Sequence, residues 1–454
     1  MIIGAGAGGL RCASALPQGL RVAIACKGRF LATEATAFME KGLEFSVVNA
    51  PIFPPDSAAA YYQDLIEMGA GLNDPAVVQR FAQDSEREFR FLESLDLPFV
   101  REGHGYKRIR LGGCRHPRSI ICGPGFGRLL LKRLKGIAES KGFQFWENTP
   151  IIDLFVENGR VVGAWALREG RPSFIRVKAV VLASGGCGRL FLRTTNPPGI
   201  IGDGLRMAKR AGVPLLYPHL IQSLPLTVRP VKGFYLLSAL LSQGRFSIDL
   251  DLDGVPPHRR MSEVLIRLSL AGETNWDGRH IPQETYLALM PRTFRLLKEK
   301  GCDLTQVPLT LAPFAHEMLG GIKVDRDGGT AIPNLFAVGE VAGGLHGRER
   351  INGTGVMKGL VFGASAAMRA KEVACGSDMP KAPPEPPQIF SGTKRLRREL
   401  YKLTDPLLGR AEKAHLKRAL ERLAQLKGEA KDIETTNMVA TAQILIESAL
   451  TDLS

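Results

Sequence analysis

The sequence lacks the features that would place it among membrane-spanning or disulfide-bonded proteins. No run approaches the roughly 18 apolar residues that cross a bilayer, and no signal-peptide pattern opens the chain. The 7 cysteines are odd in number and scattered, with no C-x-x-C pair for zinc or an iron–sulfur cluster. Scattered free thiols suit a reducing compartment. We therefore expect no metal site and a cytoplasmic protein, either free or peripheral to a membrane complex.

Acidic residues are scarce: the chain has 45 Asp and Glu against 60 Lys and Arg, which gives a formal charge of +15. Much of the basic excess lies between residues 394 and 431, where bases alternate with leucines at helical spacing. This pattern is typical of the solvated face of a helical hairpin; the alternative is a surface that docks an acidic partner or a membrane face. Tyr401 is the one Phe, Trp or Tyr in this stretch, which is too few for base stacking, so we expect no nucleic-acid partner.

Glycine, in contrast, is abundant, and one cluster of it opens the chain. Residues 2–10 read IIGAGAGGL, in which Gly4, Gly6 and Gly9 form a G-x-G-x-x-G segment after a short apolar strand. In dinucleotide sites these glycines allow a tight turn, a close approach to the pyrophosphate and packing of the next helix. Residues 21–25 predict the second strand, and its end carries Cys26 and Lys27 where an acid normally holds the ribose.

A second nucleotide-site segment lies far along the chain. Residues 331–347 read AIPNLFAVGEVAGGLHG and include Gly339 and Glu340. Because two distant segments carry halves of one dinucleotide site, the pairing indicates a flavoprotein. Strand and helix signals alternate over the first 200 residues, as in an α/β domain. Between about residues 222 and 313 the sequence mixes polar and apolar segments separated by prolines, which indicates an inserted domain.

Three further motifs occur in order: ASGGCGRLFLRTTNPPGIIGDGLRMAKRAG at 183–212, HEMLGGI at 316–322 and HGRERINGTG at 346–355. With them, the chain resembles the flavoproteins that include fumarate reductase, the flavoprotein subunit of succinate dehydrogenase and L-aspartate oxidase. The resemblance covers nearly the whole length. It implies that the split halves bind FAD and that the insertion caps the substrate.

The expected fold class is α/β: a discontinuous Rossmann-like FAD-binding domain with an inserted α+β capping domain and a C-terminal helical segment. The expected limits are 1–221 and 314–376 for the FAD-binding domain and 222–313 for the capping domain. A proline-rich linker at 377–391 and a C-terminal helical domain at 392–454 complete the chain.

The resemblance implies a set of FAD-binding residues that match the family's motifs. They are Gly4, Gly6, Gly9, Cys26, Lys27, Ser184, Gly185, Gly186, Asp203, Gly339 and Glu340. It also implies that FAD is held non-covalently, because Arg128 in GFGRLLL stands where we expect the histidine of members with covalent flavin.

The resemblance further implies hydride transfer between flavin N5 and a carboxylate-bearing substrate. His316 matches the histidine of the family's HxxMGGI motif and Arg350 the arginine of its HGxxRLGG motif, and both bind a carboxylate there. Arginine suits this task because its planar fork gives a carboxylate two charge-assisted hydrogen bonds. The family's proton-donating arginine corresponds to Arg259 or Arg260 in HRRMSEV, although no aspartate follows either one.

Two departures from the family bear on the substrate. Leu224 in QSLP stands where a histidine would reach the distal carboxylate of a C4-dicarboxylate. Leu111 stands where aspartate oxidases carry a glutamate for the substrate ammonium. The first departure disfavours a dicarboxylate and the second an amino acid.

The sequence therefore predicts an FAD-dependent oxidoreductase acting at a C–C bond next to a carboxylate, with the substrate open and dicarboxylates included. The alternative enzyme is L-aspartate oxidase. A further alternative is a flavin-binding electron-transfer subunit of a larger complex with a diverged substrate site. The expected partners are a small carboxylate, further copies in an oligomer and an electron-transfer protein subunit.

Overall fold

The computed structural model of the protein describes residues 1–40, 42–376, 396–409, 411–430 and 432–453. The proline-rich linker predicted at 377–391 lies outside these residues, as do the first four residues of the predicted C-terminal domain.

The strands and helices of the described residues have the following bounds. The strands are β1 (Ile2–Ile3), β2 (Ala23–Ala25), β3 (Ser46–Asn49), β4 (Arg101–Glu102), β5 (Gly105–Tyr106), β6 (Arg108–Ile109), β7 (Ser119–Cys122), β8 (Gln144–Trp146), β9 (Ile151–Glu157), β10 (Arg160–Arg168), β11 (Arg171–Arg176), β12 (Val180–Leu182), β13 (Leu215–Leu216), β14 (Ile221–Arg229), β15 (Arg245–Phe246), β16 (Thr274–Asp277), β17 (Leu309–Met318), β18 (Gly321–Ile322) and β19 (Leu335–Ala337). The α-helices are α1 (Ala7–Ala15), α2 (Ala58–Gly69), α3 (Pro75–Glu93), α4 (Phe126–Ser140), α5 (Asp203–Arg210), α6 (Ser238–Leu241), α7 (Arg260–Ala271), α8 (Gln283–Leu289), α9 (Pro291–Glu299), α10 (Thr354–Gly376), α11 (Leu396–Thr404), α12 (Lys413–Glu429) and α13 (Ile433–Asp452). Short 3₁₀ turns lie at Ala35–Phe38, Gly188–Leu190, Gly339–Val341 and Asp405–Leu408.

The central sheet is parallel, with strand order β19-β12-β1-β2-β8. Ile2 of β1 pairs with Ile24 of β2 on one side and with Val181 of β12 on the other. Val180 of β12 pairs in turn with Leu335 of β19. Strands β1, β2, β12 and β19 are short apolar runs whose residues contribute to two separate apolar cores, as expected of parallel strands covered on both faces. The sheet joins the two nucleotide-site segments, so the predicted discontinuous Rossmann-like α/β domain is confirmed.

Helix α1, which follows the first glycine turn, packs tightly on α10 at glycines of both helices. A Cβ atom at Gly359 would lie 2.9 Å from the backbone nitrogen of Gly8, and one at Gly363 would lie 2.5 Å from the Gly8 oxygen. The two backbones can approach this closely only because side chains are absent. This contact places the start of α10, directly after the HGRERING segment, beside the glycine turn.

The inserted segment forms a second, antiparallel sheet of order β14-β17-β16-β15, with α6 to α9 around it. Its own core includes the fully buried Trp276 and Tyr286. Strands β14 and β17 extend across the predicted limits at 222 and 313, so β17 runs from the insertion directly into the HEMLGGI motif and carries His316. The numerical domain limits stay predictions.

Helices α11 to α13 supply the C-terminal helical segment that the sequence predicts, within the described residues. Buried leucines such as Leu400, Leu416 and Leu445 pack into one apolar core with the central sheet and α5. Asn437 of α13 donates a hydrogen bond of 2.6 Å from Nδ2 to Oδ1 of Asp203. Across the described residues, no helix has both the length and the apolar character to cross a bilayer.

Candidate active site

A cavity of about 1050 Å³ lies at the carboxyl edge of the central sheet. Its wall joins the residues that follow β1, β2, β12 and β19 with residues of β14 and β17, which is where ligands bind in open parallel sheets. Eleven of the predicted site residues line it: Gly4, Gly6, Cys26, Lys27, Ser184, Gly185, Asp203, His316, Gly339, Glu340 and Arg350. Gly9, Gly186, Arg259 and Arg260 do not line it.

The first glycine turn is built for a close approach of backbone. Gly4 has φ +112, and a Cβ atom there would lie 2.2 Å from the Ala183 oxygen. A Cβ atom at Gly9 would lie 2.0 Å from the Gly4 oxygen, so Gly9 packs α1 on the turn without touching the cavity. Gly6 precedes α1 with no side-chain cap. The backbone nitrogen of Ala7 donates 3.4 Å to Oγ1 of Thr36, and the rest of the first turn of α1 presents its N–H groups and the positive end of the helix dipole to the cavity.

An acid that the sequence analysis did not single out lies beside the end of β2. The Cys26 thiol donates a hydrogen bond of 2.8 Å to Oε1 of Glu34, and both side chains line the cavity. Burial, together with the neighbouring Glu34 carboxylate, raises the pKa of Cys26, so the thiol stays protonated. Glu34 is 6% exposed. The carboxylate missing at position 26 is thus supplied by the loop that follows.

Lys27 and Asp203 form an ion pair on the cavity wall. Nζ of Lys27 lies 2.8 Å from Oδ2 of Asp203, while Oδ1 of Asp203 accepts from Asn437. Asp203 is the first residue of α5. The amino group of Lys27 also donates 3.4 Å to the Gly199 oxygen, so these contacts fix Lys27 on the cavity wall.

The residues after β12 and β19 contact each other behind the cavity. A Cβ atom at Gly186 would lie 2.1 Å from Oε1 of Glu340, so Gly186 makes room for that carboxyl group. Oε1 of Glu340 accepts 2.9 Å from the Met318 backbone nitrogen. Burial and the nearby Glu317 raise the pKa of Glu340 to about 7. The hydroxyl of Ser184 is buried without a hydrogen-bond partner among the described residues.

This arrangement fits FAD. A large cavity, an uncapped helix start, glycines at positions where a Cβ atom would clash and a buried hydroxyl without a partner are what a bound dinucleotide requires. Arg128 does not line the cavity; it donates 3.3 Å to the Leu31 oxygen at the surface. Arg128 therefore has no bearing on the flavin linkage, and non-covalent attachment stays a prediction.

His316 of β17 is a neutral imidazole at neutral pH. Burial, and secondarily the Arg350 charge, lowers its pKa to about 4. Its Nδ1 lies 2.9 Å from Oγ1 of Thr195, and its backbone oxygen accepts 2.8 Å from Nδ2 of Asn196. Nε2 has no hydrogen-bond partner among the described residues, so it is the ring nitrogen that remains for a ligand.

Arg350 is held by three side chains on different elements. Its Nη2 lies 2.9 Å from Oε2 of Glu317, its Nη1 donates 2.9 Å to Oε1 of Gln222, and its Nε donates 3.1 Å to Oγ1 of Thr354. Gln222 and Glu317 are paired residues of β14 and β17, so one register places both against the guanidinium. A guanidinium has five N–H groups, and these contacts leave two for a ligand.

Glu317 is a buried acid whose role the sequence did not indicate. Besides Arg350, it contacts His346, whose Nε2 lies 3.3 Å from Oε1. Burial opposes ionisation of this carboxyl group, but Arg350 and His346 outweigh it and hold the pKa of Glu317 below its usual range. Burial, with Lys358 nearby, lowers the pKa of His346 to about 4. The pair Glu317–Arg350 is therefore an internal ion pair on the cavity wall.

The two leucines singled out in the sequence both line this cavity. Leu224 is 3% exposed and is paired with Phe314 across β14 and β17. Neither leucine side chain can donate a hydrogen bond, although Arg110, directly before Leu111, also lines the cavity and is exposed.

Arg259, directly before α7, and Arg260, its first residue, make contacts outside the cavity. Nη2 of Arg259 lies 3.7 Å from Oε1 of Glu349, and Nε of Arg260 donates 3.2 Å to the Val255 oxygen. Glu349 is largely buried, and this burial raises its pKa to about 7. The contact joins the inserted segment to the HGRERING segment outside the cavity. Assignment of proton exchange to either arginine stays a prediction.

Comparisons with known proteins agree with this geometry. Residues 1–246 and 263–356 match the FAD binding domain family. The chain is 31% identical to the L-aspartate oxidase of Yersinia pestis, over 81% of this chain and 74% of that protein. It is 28% identical to one subunit of the fumarate reductase (CoM/CoB) of Methanothermobacter marburgensis, over 83% of this chain and 73% of that protein.

A solved structure is similar over almost the whole chain. A chain of the apo Sdh1 complex of Mycobacterium smegmatis superposes with a TM-score of 0.83 at 25% identity, covering 99% of this chain and 86% of that one. With the cavity and its glycine turns, these matches show that the protein belongs to the FAD binding domain family and is an FAD-dependent oxidoreductase of the group that includes L-aspartate oxidase and the matched fumarate reductase subunit.

Proposed function

We propose that the protein transfers hydride between FAD and a carboxylate-bearing substrate, at a C–C bond next to the carboxylate. The observation that carries the proposal is the position of His316 and Arg350, which line the same cavity as Gly4, Gly6 and Glu340. The groups suited to a carboxylate therefore share one enclosed space with the groups suited to a dinucleotide.

In this proposal FAD supplies two-electron chemistry at N5, and the chain's own residues bind and orient the substrate. The two free N–H groups of Arg350 bind one carboxylate, while Gln222 and Thr354 keep the guanidinium from rotating. Nε2 of the neutral His316 donates one more hydrogen bond, with Thr195 holding the ring by Nδ1. Leu111 and Leu224 exclude water from the reacting carbons.

Proton exchange is assigned to an arginine of the inserted segment, Arg259 or Arg260. For Arg259, this role requires that its side chain leave Glu349, which lies 3.7 Å away. Alanine variants of the two arginines separate the assignments. The arginine that exchanges the proton loses about 100-fold or more in turnover when truncated, and the other does not.

L-aspartate oxidation is a second candidate function, favoured by the 31% identity to the Yersinia pestis enzyme. Leu111 weighs against it, because the cavity wall at this position offers no anion to an ammonium group. Release of ammonia and hydrogen peroxide from aspartate by the flavin-loaded protein would favour this candidate over the first.

We further propose that the protein exchanges electrons with a protein partner, as a cytoplasmic or membrane-peripheral oligomer. The similarity to a chain of the Sdh1 complex and to a protein that is itself one subunit of a reductase supports this proposal. Isolation of the tagged protein under native conditions tests it, with a stable complex as the expected result.

The proposed function is tested by flavin release and by ligand binding. Acid precipitation of the purified protein should release FAD into the supernatant, since no covalent bond is expected. The flavin spectrum of the intact protein should then shift with short carboxylates but not with the matching primary amides. Equal shifts with acids and amides would contradict a carboxylate site.

A further inference from the structure

The ion pair between Glu317 and Arg350 lies in a place shaped to hold it. The Glu317 side chain is 10% exposed, and that of Arg350 is 6% exposed. Gly355, in the first turn of α10, faces the pair: a Cβ atom there would lie 2.7 Å from Oε2 of Glu317 and 2.8 Å from Nη2 of Arg350. A residue larger than glycine at position 355 would push Glu317 and Arg350 apart. The backbone of α10 and the β14–β17 register therefore both hold Glu317 against Arg350.

Glu317 offsets the charge that Arg350 offers to a ligand. Lys358 is the other buried cation nearby, and its amino group donates 2.6 Å to the Ala342 oxygen, while Glu340 adds a second carboxyl group on the same side. Burial lowers the pKa of both His316 and His346 to about 4, so neither ring adds positive charge at neutral pH. One carboxylate can still bind the free N–H groups of Arg350, but little positive charge remains for a second.

Among the described residues, Arg350 is the one buried arginine or lysine that lines the cavity. Lys107, Arg110 and Arg292 also line it but are exposed, so their charges stay hydrated, and Lys27 is paired with Asp203. Leu224 and Leu111 line the wall where the family's dicarboxylate and amino-acid enzymes are expected to place polar side chains. An ionised group buried against leucines loses its hydration without replacement. An apolar group in the same place loses only its contact with water.

We propose that Glu317 sets the charge selectivity of this site, so that it takes a monocarboxylate with an apolar distal group and rejects C4-dicarboxylates. This inference rests on the proposed function, in which Arg350 and His316 hold a substrate carboxylate. Glu317 acts through Arg350 as a specificity-determining residue and does not itself take part in hydride or proton exchange.

The test compares ligands that differ only at the distal end. Butyrate is matched with succinate, and crotonate with fumarate, each titrated into the intact FAD-loaded protein while the flavin spectrum is recorded. We expect the dissociation constants of the monocarboxylates to be about tenfold or more below those of their dicarboxylate partners, because an unpaired buried charge is costly. In Glu317→Gln, dicarboxylate affinity should rise and this preference should fall by about tenfold.

A matched control is available in another buried ion pair. Nε of Arg11 lies 2.7 Å from Oε2 of Glu88, which is fully buried and lies outside the cavity. Glu88→Gln makes the same chemical change and should leave the ligand preference unaltered. Leu224→His, with Glu317 intact, is a second variant: a donor at the distal end should raise fumarate affinity relative to crotonate.

The outcomes separate this inference from the proposed function. If succinate and fumarate bind the unaltered protein as tightly as butyrate and crotonate, the inference is wrong and the carboxylate site stands. An unchanged preference in Glu317→Gln that folds and retains FAD also overturns it. If no carboxylate of either class perturbs the flavin, the proposed function fails, and the inference fails with it.

Discussion

The thiol of Cys26, directly after β2, donates a hydrogen bond of 2.8 Å to Oε1 of Glu34, eight residues further along the chain. In dinucleotide-binding folds, a carboxylate at the end of this strand holds the ribose hydroxyls. In this chain the acid lies in the loop that follows the strand, at the cavity wall. Thr33 supports it, because its backbone nitrogen donates 3.3 Å to Oε2.

The first prediction follows from this position of Glu34. Glu34→Gln should weaken FAD binding by about tenfold, since a hydrogen bond to a charged group contributes about 1.5–3 kcal/mol. FMN lacks the adenosine, so its affinity for the variant should match that for the unaltered protein. Titration of apoprotein with each flavin, followed by fluorescence quenching, measures both constants. An equal loss for FAD and FMN would show that Glu34 does not act at the adenosine.

A second prediction concerns Gly4. A Cβ atom there would lie 2.2 Å from a backbone oxygen, and φ is +112, so Gly4→Ala should abolish FAD retention. Gly19→Ala is the control: its φ is +91, yet nothing lies within 4 Å of an added Cβ atom. The control should cost only about 1 kcal/mol of stability from backbone strain. FAD content per chain and melting temperature are the measurements, and a Gly4→Ala protein with full FAD content would contradict this account of the turn.

A third prediction concerns the shape of the Arg350 side chain. Arg350→Lys keeps a positive charge but loses the planar fork, so carboxylate affinity should fall by about tenfold to 100-fold, while FAD stays bound. Arg80→Lys is the control, since Arg80 pairs with Asp84 outside the cavity. Flavin-spectrum titrations compare the variants. Undiminished carboxylate affinity in Arg350→Lys would remove Arg350 from the site.

A fourth prediction concerns pH and follows from the burial of His316. Its pKa in the folded protein is about 4, against an ordinary value of 6.5. Between these values the unfolded chain takes up the proton first, so the contribution of His316 to stability is complete above pH 6.5 and declines as the pH falls toward 4. When the pH is lowered from about 7 to about 5, His316→Asn should therefore lose less unfolding free energy than the unaltered protein.

Urea denaturation at both pH values measures this difference. The control is His104→Asn, because His104 is exposed and lies in a surface turn. His104→Asn should lose as much unfolding free energy as the unaltered protein between the two pH values. A His316→Asn protein that loses as much stability as the unaltered chain would show that the imidazole is not neutral in the folded state.

The parts of the fold predicted from sequence are those encoded by local patterns. Gly4 and Gly339 follow short apolar runs, and each run proved to be a strand of the parallel sheet. A glycine turn after an apolar run can be predicted from the sequence because the steric limits on the backbone act within a few residues. The presence of β1 and β19 in one sheet agrees with the prediction that two distant segments carry halves of one site.

The parts that the sequence did not predict depend on long-range pairing. Gln222 and Glu317 contact Arg350 because β14 and β17 pair in one register, which no local pattern specifies. The sequence holds only a weak indication of the role of Glu34: the predicted second strand ends without an acid, and Glu34 is an acid in the loop that follows. The neutrality of His316 depends on burial by the assembled fold, which the motif alone does not encode.

The central claim is electron exchange between bound flavin and a carboxylate substrate, and one anaerobic experiment tests it most directly. The photoreduced FAD-loaded protein is mixed with α,β-unsaturated carboxylates, their matching amides and buffer, and the visible flavin band is followed. This account predicts reoxidation by at least one carboxylate, none by its amide and none in Arg350→Ala. A flavin that stays reduced with every carboxylate, or that an amide reoxidises as fast as its carboxylate, would contradict the account.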